Sequence, residues 1–66
     1  MTKQHIRDRV AEIQLVQSDD EVAHIKEDEL YYEFVEYVGR TDRGKYGGLA
    51  RELMEVRKLD FARWHA

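Results

Sequence analysis

The chain has 66 residues, with 42% hydrophobic and 38% charged positions, a net charge of −3, and neither cysteine nor proline. That length holds one domain, and a domain so small buries only ~60% of the surface its unfolded chain exposes. Disulfides and thiolate zinc sites are excluded, and a reducing compartment fits.

A first helix is predicted over about residues 3–17, capped by Thr2, with Ile6, Val10 and Ile13 forming one apolar stripe. Leu15 and Val16 lie off that stripe. Ser18 followed by Glu21 has capping-box spacing, and Asp19 and Asp20 suit the positive end of a helix dipole, so a second helix is predicted over 19–38. Gly39 is placed to end it in the left-handed conformation that glycine adopts without steric cost. The glycine-rich GRTDRGKYGG stretch, with a turn at Thr41/Asp42, leads to a third helix over 46–58. Tyr46, Leu49, Ala50, Leu53 and Val56 give that helix one apolar face. Asp60 then caps a short turn over 60–65, with Leu59 and Trp64 at hydrophobic-staple spacing. The fold class predicted is all-α, a small three-helix bundle with a short C-terminal helical turn.

Charge is unevenly spread. Residues 18–39 carry eight acids against Lys26, whereas residues 40–66 carry seven bases against four acids. This polarity differs from the single-sign basic footprint of a nucleic-acid binder, and helix 2 would repel phosphate. The apolar runs are too short to span a membrane. Met1 leads straight into a charged helical pattern with no signal-peptide core, so the expected location is the cytoplasm.

On a helical wheel, Ala23, Leu30, Phe34 and Tyr37 cluster on one side of helix 2, and Tyr31, Val35 and Val38 extend it. The arc exceeds what one neighbouring helix can cover. Either helices 1 and 3 both pack on helix 2, or part of the arc is an interface between subunits. Tyr31, Tyr32, Val35, Tyr37 and Trp64 are the candidate interface residues, and a homodimer is the expected assembly.

Glu27 falls within this arc, with His24 and Asp28 beside it. A buried carboxylate needs a cation or several donors. Arg7, Arg9, Arg57 and Arg63 are the nearby cations, and Arg63, between Phe61 and Trp64, is the expected partner. His24, Glu27, Asp28 and Arg63 are therefore read as a structural polar lock. The same His-x-x-Glu-Asp spacing could supply metal ligands. Helical-bundle metal sites draw ligands from two or more helices, however, and the chain lacks a convincing third and fourth ligand. No cofactor is expected. No cysteine is present, Ser18 is the single serine, and no glycine-rich phosphate loop follows a strand, so no enzymatic activity is expected.

The stretches DDEVAHIKEDELY (19–31) and LDFARWHA (59–66) resemble a group of short phage and prophage proteins with a D-D-E-x-A-H-x-x-E-D-x-L pattern and a D-F-x-R-W ending. RDRVAEIQ is similar to their first helix. The resemblance covers most of the chain and implies a phage or prophage origin and a bacterial cytoplasm, with no biochemical activity to transfer. His65 departs from the cysteine or aromatic residue expected there. The function expected from sequence is that of a small non-enzymatic accessory protein acting through an unknown protein partner. The alternative is an acidic mimic of nucleic acid, using Asp20, Glu29, Glu33 and Glu36 to block a host DNA-handling protein.

Overall fold

A computed structural model describes residues 1–62. Its elements are α1 (Lys3–Leu15), α2 (Asp20–Thr41), α3 (Lys45–Met54) and a 3₁₀ turn (Glu55–Lys58). The protein is all-α, with no strand among the described residues. It divides into two compact units that share α2, the first comprising Met1–Tyr31 and the second beginning at Tyr32.

In the first unit, α1 starts where the sequence predicts. Thr2 Oγ1 accepts from the His5 backbone N–H at 3.1 Å, satisfying one of the unpaired amides of the first turn. The less exposed stripe of α1 is Ile6, Arg9 and Ile13, continued by Val16 at its C-cap. Val10, expected on the apolar face, is instead 52% exposed, and Leu15 is 85% exposed. Arg9 can occupy that stripe because its alkyl stem covers apolar surface while its guanidinium reaches Glu12 at 3.5 Å.

The α2 N-terminus is capped one residue later than the Ser18 capping box implies. Asp19 Oδ1 accepts from the Val22 N–H at 3.2 Å, while the Asp19 carbonyl begins the helical ladder to Ala23 at 2.9 Å. A carboxylate adds favourable charge at the positive helix end, which a serine hydroxyl lacks.

In the second unit, α2 runs past Gly39 to Thr41, and no glycine has positive φ. The expected left-handed stop is replaced by two side-chain devices. Thr41 Oγ1 donates to the Tyr37 carbonyl at 2.6 Å, and Arg51 Nη1 donates to the Gly39 carbonyl at 2.7 Å. The Gly39 carbonyl at the helix end is thus satisfied from α3, while Thr41 bonds back within α2 and the Asp42 N–H continues the ladder to the Val38 carbonyl at 2.9 Å. Gly39 serves a different purpose. A Cβ there would lie 3.2 Å from Arg51 Cγ and 3.4 Å from Met54 Sδ, so the missing side chain lets α3 approach.

The α2–α3 turn is organised by Asp42. Its two carboxylate oxygens accept from the N–H groups of Gly44 at 3.1 Å and Gly47 at 2.7 Å. Gly44, at the N-cap position, makes no side-chain cap, so Asp42 does that work from two residues upstream. Gly47 is buried, and a Cβ on it would overlap the Asp42 carbonyl oxygen at 1.7 Å. The GKYGG stretch is therefore a close backbone crossing. The helix then tightens into the 3₁₀ turn, where Lys58 Nζ lies 2.9 Å from Glu55 Oε2. That hydrogen bond and charge raise the Lys58 pKa above its usual value.

Little of this surface is covered. Among the described residues, Leu30 and Ala50 are the buried hydrophobic side chains, each 8% exposed, and no charged or polar side chain is buried. The turn expected over 60–65 has no helical residue at 60–62, and its remaining positions, including Arg63, Trp64 and His65, lie outside the described residues.

Candidate functional site

Two features stand out, one in each unit. The first is the histidine–acid cluster on the N-terminal half of α2. One helical turn brings His24 Nδ1 to 3.6 Å from Glu27 Oε1 and His24 Nε2 to 3.4 Å from Asp28 Oδ2. Tyr31, one turn further on, donates its hydroxyl to Glu27 Oε2 at 3.3 Å. The predicted buried lock needs correcting on this point. The Glu27 and Asp28 side chains are 48% and 46% exposed, so neither charge requires a deep partner. A long carboxylate on the edge of an apolar arc can turn its charged end to water while its stem stays in the arc. Arg63, the expected partner, lies outside the described residues.

Two of the other candidate cations are engaged elsewhere. Arg9 pairs with Glu12, and the Arg57 guanidinium sits 4.2 Å from the centre of the Tyr32 ring, a cation–π distance. A shallow depression beside the cluster is lined by Ile13 from α1 and by Asp20, Ala23, His24 and Glu27 from α2. One donor atom each from His24, Glu27 and Asp28 fall within 4.8 Å of one another. All three come from a single turn of one helix. A closed or catalytic metal site usually fixes its ion with ligands from separate elements.

The second feature is an open apolar groove of about 360 Å³ in the second unit. Phe34, Val35 and Val38 from α2 form one wall, and Tyr46, Leu49, Ala50 and Leu53 from α3 form the other. The α2 wall follows i, i+1, i+4 spacing and the α3 wall i, i+3, i+4, i+7, so each presents one continuous helical face. Ala50 makes the floor. Phe34, Tyr46, Leu49 and Leu53 are 49%, 71%, 55% and 56% exposed. Buried Gly39 lets α3 approach α2 at Arg51 and Met54, and buried Gly47 lets the turn at Asp42 pass close against α3.

Of the five residues predicted for an interface, Val35 lines this groove. Tyr31 is exposed and bonded to Glu27, Tyr32 lies under Arg57, and Tyr37 gives its carbonyl to Thr41. Trp64 lies outside the described residues. Sequence reasoning assigned Tyr46, Leu49 and Leu53 to one apolar face of the third helix but did not include them among the candidate interface residues. The missed signal was the run of three large apolar residues on a helix of only ten residues.

The acids proposed as phosphate mimics do not stand free as a group. Glu36 accepts from Arg40 Nη1 at 3.4 Å, and Glu33 also makes an intrachain interaction. No described helix is long and apolar enough to cross a membrane. Comparison with known proteins finds no matching family model, no matching curated protein and no matching solved structure.

Proposed function

We propose that this chain is a small accessory protein that acts by binding protein through the α2–α3 groove, with no chemistry of its own. The observation that carries this reading is the exposure of Phe34, Tyr46, Leu49 and Leu53 along one groove. Single exposed hydrophobic residues are ordinary, but a contiguous apolar patch rimmed by charge marks an interaction site. A two-walled helical groove also has the form that receives an amphipathic helix, whose anchors fall at i, i+3, i+4 and i+7. The phage-type setting suggested by the two sequence motifs fits such a role, since an accessory protein of this size works by contact.

Co-purification with the intact chain tests the reading. Protein bound by the wild type, whether another copy or a different chain, should be lost with Leu49→Asp/Leu53→Asp. It should be kept with Leu15→Asp, which changes an exposed residue of α1 far from the groove in sequence. Equal retention by both variants would remove the groove from the function.

A further inference from the structure

We infer that the occupant of the α2–α3 groove is the same groove of a second copy, with the two α3 helices packed antiparallel about a two-fold axis. This rests on the proposed binding role and names its partner.

The first support is area. At their observed exposures, Phe34, Tyr46, Leu49 and Leu53 leave on the order of 400 Å² of apolar side chain in water. A standard interface covers ~800 Å² on each partner, of which ~60% is apolar. The patch thus supplies most of the apolar part of one side, and its charged rim can supply the rest. The burial pattern agrees: a chain whose buried hydrophobic side chains, among the described residues, are Leu30 and Ala50 alone has left much of its apolar surface for an external partner.

The second support is charge complementarity. Lys45 and Glu52 are seven residues apart, so they lie on one side of α3, along the edge beside Leu49 and away from buried Ala50 and Gly47. Both are exposed. When two α3 helices run antiparallel, Lys45 of each copy meets Glu52 of the other, and the axis passes between them near Leu49. The two-fold repeats the pair, giving two opposite-charge contacts. In a parallel two-fold arrangement this edge of each helix falls on opposite sides of the seam, so Lys45 and Glu52 of the two copies do not meet. A two-fold interface must be self-complementary, and this edge is so only in the antiparallel register. Between the charged edges, Tyr46 of one copy projects toward Leu53 of the other, so the exposed ridges of α3 enter the opposing groove.

Sedimentation equilibrium on the full-length chain tests this, over roughly 1–500 µM, a range that brackets micromolar dimers. The wild type should pass from 7.9 kDa towards twice that mass. Leu53→Asp places a carboxylate in the seam and should weaken association at least ~100-fold. Because Leu53 is more than half exposed in the single chain, circular dichroism should show the helices intact. Lys45→Glu and Glu52→Lys should each weaken the dimer about three- to tenfold, as like charges replace both pairs. Each change also improves the match to the α3 dipole, so lost association cannot come from a melted helix. The double swap Lys45→Glu/Glu52→Lys should restore association to near wild type.

A wild type that stays at 7.9 kDa throughout would overturn the second-copy assignment. So would a dimer indifferent to Leu53→Asp, or a double swap that fails to recover. If the chain is monomeric while groove-dependent capture of a different protein persists, the partner is wrong and the binding role stands. If both are missing, both fall.

Discussion

Replacing Gly47 with alanine should destabilise the protein, although helix propensity alone says the reverse. Gly47 lies inside α3, where Gly→Ala ordinarily stabilises by about 0.5–1 kcal/mol. Here the new Cβ would sit 1.7 Å from the Asp42 carbonyl oxygen and 2.7 Å from its carbonyl carbon. Those are backbone atoms, so a side-chain rotation cannot relieve the overlap. The turn must move, and with it go the bonds from the Gly44 and Gly47 amides to the Asp42 carboxylate. Overpacking of this kind costs about 1–3 kcal/mol and a lost cap about 0.5–2 kcal/mol. After the propensity gain, the net loss should be about 0.5–4.5 kcal/mol. For a domain of this size that lowers the thermal midpoint by roughly 2–35 °C. Gly48→Ala is the internal control. Its Cβ meets nothing nearer than Arg51 Nη2 at 3.8 Å, so only the propensity term applies. Its midpoint should rise by roughly 2–6 °C. Thermal melts by circular dichroism at one matched protein concentration decide the matter, since association would shift both midpoints. Two alanine variants that move in the same direction would refute the close-crossing explanation of the GKYGG stretch.

Other substitutions separate the devices described above. Asp42→Ala should cost about 1–2 kcal/mol in urea unfolding through its two lost amide bonds, and Asp42→Asn should recover part of it. Arg51→Met keeps the stem but loses the bond to the Gly39 carbonyl, and should cost about 1 kcal/mol by the same assay. Glu27→Gln should change stability by less than ~0.5 kcal/mol, because the carboxylate is half-exposed. A loss of several kcal/mol there would revive the buried lock.

The helices themselves were legible in the sequence because apolar periodicity reports local geometry directly. The Thr2 cap and the entry to α3 near Lys45 were also read from their side chains. The end of α2 was not, because Gly39 could serve either as a left-handed stop or as a point of close approach. Only the position of Arg51 and Met54 above it distinguishes the two. Ser18 and Asp19 are adjacent capping residues, and one-residue shifts between such neighbours cost little. The groove was half legible. Periodicity showed that Tyr46, Leu49 and Leu53 share a face, but it cannot show whether the same chain covers that face. Glu27 was misplaced for a related reason: a wheel assigns the Cβ direction, while a long carboxylate carries its charge several ångströms beyond it.

The binding role of the groove is tested most directly by photocrosslinking inside the cell. p-Benzoylphenylalanine in place of Tyr46 puts the reactive ring on the groove wall, and the same group in place of Leu15 puts it on the exposed end of α1. The expected result is one discrete covalent adduct from position 46, mapping by mass spectrometry to Leu49, Leu53 or a neighbouring residue of a second copy, and no comparable adduct from position 15. An absence of any adduct at position 46, with the protein folded and expressed, would contradict the account.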